Sequence, residues 1–190
     1  MSAKRKEIAM DNELKQLTSK RNFILQQGLE DPPREMCSAQ FSALQFQPRI
    51  VGGLVLLGVI FQSPSVFLVL SAILWWSALL PQWNPFDIIH NYKSGALPGA
   101  VLLKPAPDPR RFAQGMAGTF SLLIGVLLLA QWNLAAFLFE AFFLSAVAAL
   151  VFGHFCFGSF VFHLLHGRAS FAKRTLPWVQ NAKCVENSCS

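Results

Sequence analysis

The sequence predicts an all-α, polytopic helical membrane protein. Two hairpins make four spans, and an N-terminal amphipathic helix precedes them. Three observations carry this. The stretches Ile50–Leu80 and Phe112–Leu165 are apolar and contain no Lys or Arg. Each holds one uncharged interruption, Gln62-Ser63-Pro64 and Gln131-Trp132-Asn133, where a hairpin can turn. All 16 Lys and Arg residues lie outside the two stretches: before Ile50, between Pro81 and Arg111, and after His166. Two complete hairpins would put these three segments on one side of a bilayer, which the positive-inside rule reads as cytoplasmic for both termini.

Composition supports a membrane class. A chain of 190 residues forms one domain. With 53% hydrophobic and only 14% charged residues, it carries too little charge for the surface of a soluble domain of this size. The net charge of +6 flanks apolar segments, so anionic lipid explains it and nucleic acid is not an expected partner. The first apolar stretch begins too late for a cleaved leader. The four cysteines, Cys37, Cys156, Cys184 and Cys189, fall in or beside segments assigned to a reducing compartment, so no structural disulfide is expected.

The expected organisation is a cytoplasmic amphipathic helix over 1–36, a linker over 37–48, a four-helix membrane domain over 49–166 with a central loop at 81–110, and a cytoplasmic tail over 167–190. In the first helix, Ile8, Met10, Leu14, Leu17, Ile24 and Leu25 recur at helical spacing among polar residues. Asp31-Pro32-Pro33 ends the periodic run.

The first hairpin is tight. Ile50 to Phe61 reaches only about 18 Å at about 1.5 Å per residue, whereas a span needs roughly 20 residues. Either the helix starts earlier, around Phe41, or the hairpin thins the bilayer or stops part-way. One kinked span over 50–80 is the rival reading, and the charge distribution opposes it. In the central loop, Trp83 suits the headgroup level and Asn84-Pro85 starts a turn. Asp108 and Pro109 suit a helix start. Arg110 and Arg111 are then expected at lipid phosphates.

The third span runs from about Arg111 to Ala130. The fourth starts near Leu134 and stays helix-compatible to Leu165, too long for one crossing, with a bend at Gly153 or Gly158. Arg49-Ile50 with Gly53, and Arg111-Phe112 with Gly115, hint at a duplicated hairpin.

Cys156, Ser159, His163 and His166 share one helical face, a thiol, a hydroxyl and two imidazoles that suit redox chemistry. A plain packing role for Cys156 is the alternative. His163 and His166 could supply two metal ligands, with only His90, Cys184 or Cys189 to complete a set, so no metal site and no cofactor is expected. Glu140 is the one acidic residue inside an apolar stretch, either functional or reaching the outer interface. Ala141, Ser145, Ala149 and Gly153 recur every fourth residue, a stripe suited to close helix packing within the chain or against a partner. No nucleotide loop, catalytic triad or zinc-protease signature is present.

The segments Asn84-Pro85-Phe86, Pro109-Arg110-Arg111-Phe112-Ala113-Gln114-Gly115, Phe155-Cys156-Phe157-Gly158-Ser159 and Phe171-Ala172-Lys173-Arg174-Thr175-Leu176-Pro177-Trp178 resemble a bacterial integral-membrane family, domain-of-unknown-function family forty-three ninety-five. The resemblance covers roughly residues 45 to 180. It implies a multi-pass protein of the bacterial inner (plasma) membrane. Many members carry Cys-Leu-Gly-Cys where this chain has Cys156 and Ser159, so a self-contained dithiol is not expected here. Some relatives occur beside thioredoxin-like and sulfurtransferase proteins, which implies thiol or sulfur chemistry. Two functional expectations follow. One is an accessory to membrane-associated thiol or sulfur redox metabolism acting through Cys156, with Ser159 and His163 beside it. The other is a non-catalytic subunit or assembly factor of a larger membrane complex, whose N-terminal helix and small-residue stripe would dock a protein partner.

Overall fold

The computed structural model describes residues 2–95 and 101–179. Cys184, Cys189 and the side chains of Ile8 and Met10 lie outside the described residues. The helices are α1 (Ser2–Gln26), α2 (Arg34–Leu44), α3 (Phe46–Phe61), α4 (Pro64–Leu79), α5 (Pro85–Ser94), α6 (Asp108–Leu129), α7 (Asn133–Val151), α8 (Phe157–Leu165) and α9 (Ala169–Arg174), with a 3-10 turn at Pro81–Trp83. The described residues contain no strand.

The fold is therefore all-helical, with three to four apolar helices of membrane-spanning character. Arg34–Phe61, Asp108–Leu129 and Asn133–Val151 are long and apolar enough to cross a bilayer, and Pro64–Leu79 is shorter. The first run is 28 residues because α2 and α3 are nearly continuous through Gln45, which keeps right-handed helical angles. This is a difference from the linker expected over 37–48. Pro33 stands just before α2, where Pro is tolerated, and Pro48 falls in the first turn of α3. Neither breaks the run, and the early start supplies the length that Ile50–Phe61 lacks.

Both hairpins close in the same way. Gln62 (φ 45°) and Gln131 (φ 60°) take left-handed angles. The Ser63 amide returns to Gly58 O at 3.1 Å and the Trp132 amide to Leu127 O at 3.0 Å, so each helix ends in a Schellman motif with glutamine at the position glycine favours.

Lipid is as apolar as leucine, so close packing rather than the hydrophobic effect holds such helices together. Phe67, Leu70 and Leu74 of α4, Ile124 of α6 and Ala136 and Phe143 of α7 form the centre of the bundle. Small residues let α4 approach. A Cβ on Gly118 would lie 2.8 Å from the Trp75 ring, and one on Gly125 would lie 2.9 Å from Leu68.

The central loop holds more structure than expected. Asn84 caps α5, its Oδ1 accepting from the Phe86 amide at 3.1 Å, and Pro85 fills the first turn. The fourth span also differs from expectation. It ends at Val151, and α8 starts afresh at Phe157 after His154 takes a left-handed φ of 53°. Gly153 sits at this break, one of the two bend positions foreseen. The Phe155 amide reaches back to Ala149 O at 3.1 Å, which closes the helix end.

The C-terminal half of α1 is folded onto the bundle end. Phe23 and Ile24 pack with Cys37, Phe41, Leu44 and Cys156 in a second apolar cluster. Asn22 Nδ2 donates to the carbonyls of Leu176 (3.0 Å) and Val179 (3.1 Å), tying α1 to the segment after α9.

Candidate functional site

Cys156 is not inside a helix. It precedes α8, with φ −95° and ψ 102°. Its residue is buried, 4% exposed, beneath α1. The Cys156 amide donates to Gln26 Oε1 at 2.9 Å. The backbone carbonyl of the same Gln26 lies 3.0 Å from His163 Nε2. A carbonyl only accepts, so Nε2 carries the hydrogen, and Nδ1 of the neutral ring is a bare acceptor with no partner among the described residues. Burial pushes the His163 pKa down and outweighs the opposing effect of that carbonyl; the nearby Arg168 and His166 push it the same way. The shift favours the neutral ring.

The face expected to hold four groups is divided. Ser159 is buried and donates to Pro109 O at 3.3 Å. His163 is 2% exposed, whereas His166 is exposed and stacked on Phe162. The four do not share one face because α8 carries only Ser159 and His163: it starts after Cys156 and ends before His166. His163 reaches Cys156 through Gln26, one end of which holds the cysteine amide while the other meets the imidazole. Cys156 and Cys37 are both free and buried.

Two chambers meet at Cys156. One, of about 80 Å³, is lined by Phe23 and Gln27 of α1, Gln47 of α3, Arg110 and Gln114 of α6, and apolar neighbours. The other, of about 90 Å³, is walled by Met116, Phe120, Phe142, Ala146 and Phe157. Pro48, Val51, Ala113, Ala117, Leu150 and Cys156 line both.

Arg110, expected at lipid phosphates, faces inward instead and is 6% exposed. Its Nη2 lies 2.7 Å from Asp87 Oδ1 and donates to Gln47 Oε1 at 3.0 Å. Desolvating a guanidinium is costly, and a carboxylate on α5 with an amide on α3 offsets it. Asn84 Nδ2 supports the other Asp87 oxygen at 2.9 Å. Arg111 takes a part-exposed position, donating to Ala78 O at 2.9 Å, and Trp83 is exposed.

The model of one family, Domain of unknown function (DUF4395), matches residues 42–166. The chain belongs to the DUF4395 family. No curated protein and no solved structure matches it. The DUF4395 region holds Gln47, Asp87, Arg110, Gln114, Cys156 and His163, while α1, with Gln26 and Gln27, lies outside it.

Other expected residues fall apart from this site. Glu140 is 1% exposed, and Gln62 Nε2 from the first turn donates to its Oε2 at 3.0 Å. Ala141, Ser145 and Gly153 are exposed and Ala149 is half-buried, so the stripe faces outward. The inner face of α7 is instead Ala136, Glu140, Phe143 and Val147. The stripe misleads because the same helix has a second, larger-residue face that meshes with the bundle. Among the described residues no three His, Cys, Asp or Glu converge to hold a metal.

Sequence reasoning missed Gln47, Asp87 and Gln114 as a polar set connected through Arg110, and Gln26 as the bridge between Cys156 and His163. The available signal was a pair of glutamines beside apolar runs, Gln47 before the first span and Gln114 inside the third, each one to four residues from an arginine.

Proposed function

We propose that this DUF4395 protein is an accessory to membrane-associated thiol or sulfur redox metabolism, with Cys156 as its reactive group. The observation that supports it is the position of Cys156 on the wall common to both chambers, where the spans meet α1. The step is thiol–disulfide exchange with a disulfide-bearing partner. The Cys156 thiolate attacks one sulfur of the partner, a mixed disulfide forms, and the other sulfur leaves as a thiolate. An incoming thiol then attacks the partner sulfur and releases Cys156. Ser159 and His163 act as positioning residues, one tied to Pro109 and the other to Gln26. The protein sits in the bacterial inner membrane with both termini cytoplasmic, a reading that the distribution of Lys and Arg supports. Trp83 and Arg111 anchor it at the interface.

The test uses a chain in which Cys37, Cys184 and Cys189 are serine. Maleimide is expected to label Cys156 in membranes, faster after Gln26→Ala, which frees its amide from α1. A thiol that stays inert in both variants until the protein is denatured sinks the reading.

A second reading, a subunit of a larger membrane complex, draws support from the outward-facing Ala141, Ser145, Ala149 and Gly153. Ala149→Trp would then reduce the mass of the complex isolated in mild detergent, without lowering the melting temperature of the isolated chain.

A further inference from the structure

We infer that the two chambers form one binding site for a membrane-soluble, single-chain amphiphile with a small neutral head, of the prenylated quinone–quinol class. The inference goes beyond the thiol reading, because it requires no reactivity of Cys156.

The head chamber is built from forced orientations. Arg110 has only donors, so its Nη2 fixes which end of the Gln47 amide faces it, the oxygen. That same Oε1 accepts from Gln114 Nε2 at 2.9 Å. Gln114 cannot turn round without setting oxygen against oxygen. Its Oε1 is therefore left over, with no partner among the described residues, on a residue only 5% exposed that lines the chamber. An orphaned buried acceptor costs about 1–3 kcal/mol, so it calls for a donor. Both side-chain bonds of Arg110 to described residues use Nη2, and Nε and Nη1 make none among them, so these can give hydrogen bonds. Gln27 brings another primary amide. The chamber thus offers donors and an acceptor together, which matches carbonyl and hydroxyl oxygens on one small head.

Charge sets the class further. Asp87 already balances Arg110, so the chamber has no net charge to pair with a carboxylate or phosphate. Size agrees with a small head. About 80 Å³ holds roughly five to eight waters at about 10–15 Å³ each.

The tail chamber adjoins the head chamber, with Val51, Ala113, Ala117 and Leu150 lining both. Met116, Phe120 and Phe142 line it, and it ends at exposed Phe142 and Phe157, on the outer side of the bundle. An apolar chamber of about 90 Å³ suits one chain rather than two. Polar groups at one end and an apolar exit at the other describe an amphiphile entering from the bilayer.

The experiment titrates the full chain, in detergent micelles, with a benzoquinone bearing a short isoprenoid tail and with its quinol, and follows the melting temperature and equilibrium binding. No thiol reagent is used, so the outcome is independent of Cys156 labelling. Saturable binding is expected, with affinity reduced about tenfold or more in Gln114→Leu. Ala146→Trp, which blocks the outer passage at a half-buried position, keeps the fold and is expected to abolish binding of the tailed probe. Absence of saturable binding overturns the proposal. So does unchanged affinity in Ala146→Trp, or equal affinity for a fatty acid of matching tail length.

Discussion

Arg110 Nη2 and Asp87 Oδ1 stand 2.7 Å apart, and both side chains are more than nine-tenths buried. The pair fastens the central helix α5 to the start of α6, and Gln47 extends it to α3. Breaking such a pair leaves one charge buried alone. Arg110→Ala or Asp87→Ala is expected to cost about 3–5 kcal/mol. The double change Arg110→Met with Asp87→Leu should cost less than either single change, since neither charge is stranded. Melting in mild detergent measures all three. Single variants that melt with the wild type would show that the pair is solvated.

The two hairpin turns predict opposite responses to the same change. Gln62 and Gln131 both hold left-handed angles that cost a non-glycine residue about 1 kcal/mol. Gln131 is exposed and its side chain makes no hydrogen bond to a described residue, so Gln131→Gly should stabilise by about that amount. Gln62 Nε2 also serves Glu140 Oε2 and Val59 O. Gln62→Gly relieves the backbone but strips a buried carboxyl of its donor, and should lower stability. A gain in both variants would mean that the Gln62–Glu140 bond contributes nothing.

Topology is tested by reporter fusions. Those after Gln62 and after Asn133 are expected outside the cytoplasm, and those after Lys93 inside. The short α4, about 24 Å at 1.5 Å per residue, is the element at risk. A cytoplasmic reporter after Gln62 would make the first hairpin re-entrant.

The apolar runs and their glutamine interruptions were legible because span length and turn polarity are local properties. The break at the end of the fourth span was only half legible. Helix propensity runs through Phe152–Cys156, and the left-handed His154 is held by partners distant in sequence: Ser19 at 3.0 Å and the edge of Phe41. Cys156, Ser159 and His163 were visible as reactive residue types, but their surroundings were not, because Gln26 joins Cys156 and His163 from 130 and 137 residues away, and Ser159 bonds Pro109 instead. Arg110 looked like a lipid anchor by position alone. Its burial depends on Asp87, and no local pattern announces a pair across 23 residues.

Close packing also differs from the small-residue stripe. A Cβ on Gly158 would lie 2.7 Å from the Cα of Ala113, backbone that cannot swing aside. Gly158→Ala is expected to cost about 1–3 kcal/mol by forcing α8 away from α6. Ala149→Leu, on the outward stripe, should leave melting of the isolated chain nearly unchanged. The reverse ranking would place the stripe at the internal interface and α8 outside it.

Acid should loosen the docking of α1, and the sign follows from His163. Its pKa is lowered, chiefly by burial, from the ordinary value of about 6.5. Burial, with the charge of Lys20, also lowers that of His154, which meets Ser19 of α1. A histidine depressed in the fold binds its proton more readily when unfolded. Its contribution is therefore complete above about pH 6.5 and is lost as pH falls from there toward the folded value. A proton on His163 would go to Nδ1, which has no partner among the described residues to share the charge. The loss is at most about 1.4 kcal/mol per pH unit for this one group. Melting measured from pH 7.5 to 5.5 should fall on the acid side. His163→Gln, which keeps a donor for the Gln26 carbonyl but cannot titrate, should flatten that slope. A slope unchanged in His163→Gln would assign the acid sensitivity to other groups.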